Sequence, residues 1–269
     1  MQATTPGTNR TGAAVSPEQI NLMIEAVEDL SPPVPIDTAA IDAERLRYIA
    51  DADSVGSIPP PASLLKGTVK KTVARFNGVS PSLLLNKIGE RIAFERAGTR
   101  LYDALIAKYL ALSNGTAALL PLGEMQAEND VQDAIIARRA GENPLETLRR
   151  IRAEEHGHFL MLCDAMAQLG GDPTAQTPSA DVTGTASMGL MQVVTDPRTT
   201  LAQCLDVMLI AELTDTASWE MLAELAAKAE QRELAEQFLT ALDAEEEHLV
   251  VVRAWLKELM NEAAGTEAV

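Results

Sequence analysis

The chain has 269 residues, with 39 Asp+Glu against 22 Lys+Arg for a formal charge of −17, and it holds 46% apolar residues, 3 His, 2 Cys and only 3% aromatic residues. That length and apolar fraction allow one large domain or two small ones with a filled core, and the acidic balance disfavours DNA, RNA and anionic membrane surfaces, which need clustered Lys and Arg; cations are the natural guests. Cys163 and Cys204 stand far apart without CxxC spacing, which excludes a disulfide framework, a ferredoxin cluster and a rubredoxin-type iron centre.

In chain order, residues 1–15 are rich in Thr, Gly and Ala and hold no signal-peptide core, and no later apolar run reaches the ~18 residues of a membrane span. A soluble cytoplasmic protein is expected. Ser16-Pro17-Glu18-Gln19 is a capping box with proline at the first helical position, opening a short helix through INLMIEAVEDL. A second short helix is predicted from Ile41 to Ala52. Proline clusters follow each, Pro32, Pro33 and Pro35, then Pro59, Pro60 and Pro61, so residues 1–79 are expected to form an N-terminal helical arm strapped across a larger body.

From Ser80, an N-cap with Pro81 behind it, to about Leu112 the residues Ile88, Ile92, Glu95, Gly98, Tyr102, Leu105 and Tyr109 recur on one helical stripe. After Asn114-Gly115 a more polar segment, Glu124 to Ala140, reads as an inserted helix or a half-packed excursion. A second long helix from Asn143-Pro144 to the Gly170-Gly171 stop carries Leu148, Ile151, Glu155, His158, Leu162, Ala165 and Leu169 on one face. Asp172 to Thr199, rich in Thr, Ser, Gly, Pro and Met, reads as a long loop suited to a crossover along a bundle. A third helix carries Leu205, Leu209, Glu212, Thr216 and Trp219 inward, and a fourth carries Leu242, Glu245, Leu249, Val252, Leu256 and Leu259. Strand signals are nearly absent. Four helices, each ~40 Å long at ~1.5 Å per residue, predict an all-α fold: an antiparallel four-helix bundle over 80–263, with a long crossover between its second and third helices and a short tail over 264–269.

The chemistry sits in a repeated short motif. Glu155-His156-Gly157-His158 and Glu245-Glu246-Glu247-His248 each present a Glu-x-x-His pair. Residues three apart project from one face of a helix, so each pair can hold a metal ion from a single helix. The first and third long helices each add one inward carboxylate, Glu95 and Glu212. All four carboxylates fall within apolar stripes, where a lone ionised group is expensive to bury; Glu154, Glu246, Glu247 and His156 lie off the stripes and read as solvated. Four carboxylates offset the charge of two divalent ions, and mixed oxygen and nitrogen donors suit iron or manganese.

With its order Glu, ExxH, Glu, ExxH, the sequence resembles the ferritin-like di-iron carboxylate superfamily of bacterioferritins and rubrerythrins and, more distantly, di-iron oxygenases and manganese catalases. The resemblance spans roughly Ser80 to Ala263. It implies Glu95 and Glu212 as terminal ligands, Glu155 and Glu245 as bridging ones, and His158 and His248 as one nitrogen ligand per metal. Tyr102, seven residues after Glu95, matches a tyrosine frequent in ferritins and rubrerythrins and is either a packed core residue or a redox or hydrogen-bonding one. Asp215 holds the offset of an extra carboxylate that moves on redox change in rubrerythrins, although its side chain is shorter. Gly98, one turn after Glu95, either leaves room beside the metals for dioxygen or peroxide or admits a neighbouring helix. The 60 positions between Glu95 and Glu155 exceed a ferritin hairpin, as the inserted segment requires.

The expected function is that of a dinuclear oxidoreductase, with two Fe ions (or Mn/Mn or Mn/Fe), that reduces peroxide or dioxygen with electrons from an external donor. Alternatives are iron oxidation, storage or simple metal binding of the ferritin type, a di-iron oxygenase acting on an organic substrate, and a manganese catalase. Neither nucleic acid nor membrane is an expected partner, and a homodimer is compatible.

Overall fold

Every element among the described residues is helical. The structure is a computed structural model that describes residues 17–31, 37, 39–51, 81–112, 119–125, 127 and 129–266. Ser16, Ser80, Asn114-Gly115 and both proline clusters lie outside these residues. The chain divides into two units, Met1–Ser54 and Val55–Val269. In the first, α1 (Pro17–Leu30) and α2 (Ala39–Asp51) match the two short helices predicted, and the Asp37 carboxylate accepts the Ala39 N–H at 2.9 Å to open α2.

The second unit contains α3 (Pro81–Leu112), a 3-10 turn (Leu122–Glu124), α4 (Asp130–Arg139), α5 (Pro144–Gln168), α6 (Pro178–Ala186), α7 (Met188–Thr195), α8 (Leu201–Lys228) and α9 (Arg232–Thr266). Their starts are written in cap chemistry. Asn143 and Glu146 form a reciprocal capping box ahead of α5, with Pro144 in the first turn, and Thr200 with Gln203 does the same for α8. Each such cap is worth about 1 kcal/mol, because it satisfies amide donors that the first helical turn leaves without partners. The turn between α8 and α9 spans only residues 229–231, and Glu230 adopts a left-handed φ of 58° to fold the chain back.

One expectation fails here. Residues 172–199, expected to be a loop, contain α6 and α7, and both pack on α3. Thr177 caps α6 through its side chain with Pro178 at the first position. The same Thr177 hydroxyl donates to the Asn86 carbonyl at 3.1 Å, while the Asn86 side chain bonds the Ser179 hydroxyl at 2.7 Å and its N–H at 2.9 Å. Gly89 makes this approach possible, since a Cβ there would overlap the Thr177 side chain. The inserted segment behaves as expected and forms the 3-10 turn and α4.

The long helices share two apolar clusters. One gathers Leu101, Leu105, Leu148, Ile151, Leu205, Met208, Val252 and Trp255. The other gathers Leu84, Ile88, Leu162, Ala165, Trp219, Leu222 and Phe238. Each of α3, α5, α8 and α9 contributes to both, so each has a middle segment between two apolar ends. The stripes on α3 and α5 lie where the spacing places them, but on the later helices they rotate. Leu209, Leu242, Leu249 and Leu259 are only half-buried, while Ala211, Phe238, Ala241 and Trp255 take the inward positions. No helix among the described residues is long and apolar enough to cross a membrane.

Candidate metal centre

The middle segments converge on a polar belt between the apolar clusters. Glu95 from α3, Glu155 from α5, Glu212 from α8, and Glu245 and His248 from α9 are all buried, and His158 from α5 is nearly so. Two groupings place ligand atoms within 4.8 Å of one another: Glu155, Glu212, Glu245 and His248, and Glu95, His158 and Glu245. All six residues singled out as metal ligands thus occupy one site, with Glu245 common to both groupings. His158 Nδ1 lies 2.7 Å from Glu245 Oε1 and 3.7 Å from Glu95 Oε2. His248 Nδ1 lies 3.0 Å from Glu245 Oε2, 3.5 Å from Glu155 Oε1 and 3.9 Å from Glu212 Oε2.

Helix geometry accounts for this convergence. The three-residue offset in each ExxH stacks glutamate and histidine on one face, and the apolar residues on either side bury that face.

The unpartnered atoms test whether a metal fits. Among the described residues, eight buried side-chain nitrogens and oxygens make no hydrogen bond of good geometry, and five of them belong to this site: Glu95 Oε2, Glu155 Oε2 and Glu212 Oε2, together with His158 Nδ1 and Glu245 Oε1, which face each other at 2.7 Å. Buried polar atoms normally find partners. Three carboxylate oxygens left without one, beside the His158–Glu245 pair and on converging side chains, form a donor set that fits transition-metal ions.

The remaining contacts orient these side chains. Tyr102 is buried and its phenol donates to Glu212 Oε1, which makes it a hydrogen-bonding residue of the site. Burial and the adjacent Glu212 push its pKa up, so the phenol keeps its proton. A Cβ at Gly98 would overlap Glu155 Oε2 and sit 3.0 Å from its Cδ. The glycine therefore makes room for the Glu155 carboxylate itself, a use different from both that its position suggested.

Asp215 is buried beside the cluster, with an oxygen within 4.8 Å of ligand atoms from Glu95, Glu155 and Glu245, but it forms an ion pair with Arg91. Arg91 also reaches Glu95 Oε1 at 2.5 Å and lies 4.6 Å above the Phe94 ring. Sequence reasoning overlooked this arginine, although its position four residues before Glu95 was a readable helical pairing signal.

Two off-stripe residues are corrected. Glu154, read as solvated, accepts a hydrogen bond from His248 Nε2 at 2.8 Å, and Arg150 holds the same carboxylate at 2.8 Å. A carboxylate on the far nitrogen fixes the ring and leaves Nδ1 facing the cluster, as metal-binding imidazoles require. Glu247, also read as solvated, is buried and paired with Arg138, Arg139 and Arg150. Glu246 and His156 are exposed, as expected.

Protonation follows from this crowding. Burial pushes the Glu95, Glu155 and Glu212 carboxyls up, and neighbouring carboxylates reinforce the shift. Burial acts the same way on Glu245, but His248 and His158 against it hold its pKa below the ordinary value. Burial disfavours the His248 cation, yet Glu245, Glu154 and Glu155 outweigh that and raise its pKa well above the usual histidine value. Crowding without metal thus raises the proton affinity of the Glu95, Glu155 and Glu212 carboxyls and of His248.

The chain matches no family model, no curated protein and no solved structure.

Because groups with raised pKa bind protons that a cation must displace, metal uptake should release protons and tighten as pH rises; Mn(II) titration in a weakly buffered indicator solution checks this, and uptake without proton release would contradict it. Gly98→Ala should lower thermal stability by ~1–3 kcal/mol, since its Cβ overlaps the buried Glu155 carboxylate, and metal per chain should fall because that carboxylate is displaced. His156→Ala should leave metal content unchanged, as elemental analysis of both variants would show.

Proposed function

We propose that the second unit is a ferritin-like antiparallel four-helix bundle whose polar belt holds two iron ions and reduces peroxide or dioxygen with electrons from an external donor. The observation that supports this reading is the convergence of two Glu-x-x-His pairs and two further glutamates in one buried volume, where oxygens of Glu95, Glu155 and Glu212 make no hydrogen bond. By position, Glu95 and His158 serve one ion, Glu212 and His248 the other, and Glu155 and Glu245 lie between. In this topology α6 and α7 form the crossover that returns the chain from the end of α5 to the start of α8. Manganese in one or both positions is the alternative for this donor set.

Two ions bound there would supply two electrons, one each, to the oxidant. The chain's own groups do the rest. Tyr102 keeps its phenolic proton on Glu212 Oε1 and fixes that carboxylate. Glu154 keeps His248 Nε2 as a donor, so Nδ1 is free to ligate. The apolar clusters on either side exclude bulk water, which strengthens each of these polar interactions.

One further observation favours an oxygenase as the second reading. A groove of about 280 Å³ between α3 and α8, with Leu83, Met221, Leu222 and Leu225 and the charged Lys87 and Glu90 in its walls, also has Arg91 in its lining, and Arg91 touches Glu95. An organic molecule seated there would lie one side chain from the site.

Protein loaded anaerobically with Fe(II) should be oxidised once by peroxide and then stop until a reductant is added. Sustained O₂ release would indicate catalase chemistry instead, and growth of a ferric mineral core would indicate storage. Loss of an added organic compound coupled to O₂ uptake would favour the oxygenase.

A further inference from the structure

Arg91 stands at the edge of the cluster with its side chain only 3% exposed. Its Nη2 serves two carboxylates at once, Glu95 Oε1 at 2.5 Å and Asp215 Oδ1. The guanidinium is held by the faces of Phe94 at 4.6 Å and Trp219 at 5.7 Å. Asp215 therefore has two competing uses. Its carboxylate lies within ligand distance of Glu95, Glu155 and Glu245, so it can serve as a fifth carboxylate of the centre or as the counter-ion of Arg91.

Charge and geometry decide between these uses. Five buried carboxylates carry one more negative charge than two divalent ions offset, and Arg91 supplies the missing positive charge. By taking Glu95 Oε1, the arginine also leaves Glu95 Oε2, which has no hydrogen-bond partner, turned toward His158 Nδ1 at 3.7 Å. Neither member is stable alone in this setting, because a buried charge stripped of its partner is strongly disfavoured.

Resting on the dimetal reading above, we propose that Arg91 is a positioning residue that holds Asp215 out of the coordination sphere and presents Glu95 to the metal through a single oxygen. Asp215 is then the counter-ion of an orienting arginine, and the ligand set remains four glutamates and two histidines.

The test uses Co(II), whose visible absorption reports the ligands around it, on the full chain and on Asp215→Asn, Arg91→Met and the double variant. The wild type should bind two Co(II) per chain. Asp215→Asn should bind the same number with an unchanged band shape and weaker affinity, because Arg91 then adds uncompensated positive charge. Arg91→Met should change the band, as Asp215 is released to the metal, and should bind roughly tenfold more tightly because the nearby cation is gone. The double variant, in which no carboxylate at position 215 can reach the metal but Glu95 Oε1 is freed, should give a band that differs both from the wild type and from Arg91→Met. If Arg91→Met fails to fold, the other two variants still decide. A band altered in Asp215→Asn and altered in the same way in the double variant would make Asp215 a ligand and overturn the proposal. Four identical spectra would overturn it too, by placing the pair beyond the coordination sphere. A wild type that binds no Co(II) would defeat the dimetal reading, and this proposal with it, an outcome distinct from either of the others.

Discussion

Five carboxylates, two imidazoles and one guanidinium share a single volume between two apolar clusters. Burying that many acids together is the constraint on which the rest of the structure depends. Carboxylates removed from water disfavour their own ionisation and one another's, and the shifts at Glu95, Glu155 and Glu212 record both effects. The arrangement becomes economical only when positive charge enters. In the metal-free chain Arg91 provides part of it, and the raised proton affinity of the carboxyls and of His248 acts in the same sense. Two metal ions would supply the rest and leave Arg91 paired with Asp215.

The helical scaffold answers the same constraint. Each long helix has apolar residues toward both ends and its acid in the middle, so the segments that enter the clusters on either side are pinned while the polar belt is held between them. Close packing of the clusters limits how far the acids can move apart. Gly98 is one visible consequence, for it yields the space of a side chain to the Glu155 carboxylate. A second layer of charges, Arg150 with Glu154 and Glu247, carries the polar network from His248 toward the surface.

Much of the site could be read from the sequence because it is periodic. Glu95, Glu155, His158, Glu212, Glu245 and His248 announce themselves by three-residue spacing within apolar stripes, and a helix turns that spacing into a common face. What the sequence hid lies across helices. Glu154 and His248 are 94 residues apart, and no local pattern joins them; one position off a stripe looked like solvent but is the seam where α5 meets α9. Glu247 was hidden in the same way by arginines more than ninety residues away. Helices α6 and α7 were obscured by their Thr, Ser and Gly content, which reads as loop, although Thr177-Pro178 is a helix start in its own right. Arg91 was legible in principle, four residues before Glu95, but an arginine in an acidic chain drew less notice than the acids it serves.

We propose that this acidic volume holds two metal ions. Crystals grown with Mn(II), measured on both sides of the manganese absorption edge, test it most directly. The account predicts two anomalous peaks per chain within the belt, one beside His158 Nδ1 and the other beside His248 Nδ1, with Glu155 and Glu245 in reach of both. A belt without anomalous density, or manganese bound only to surface acids, would contradict it.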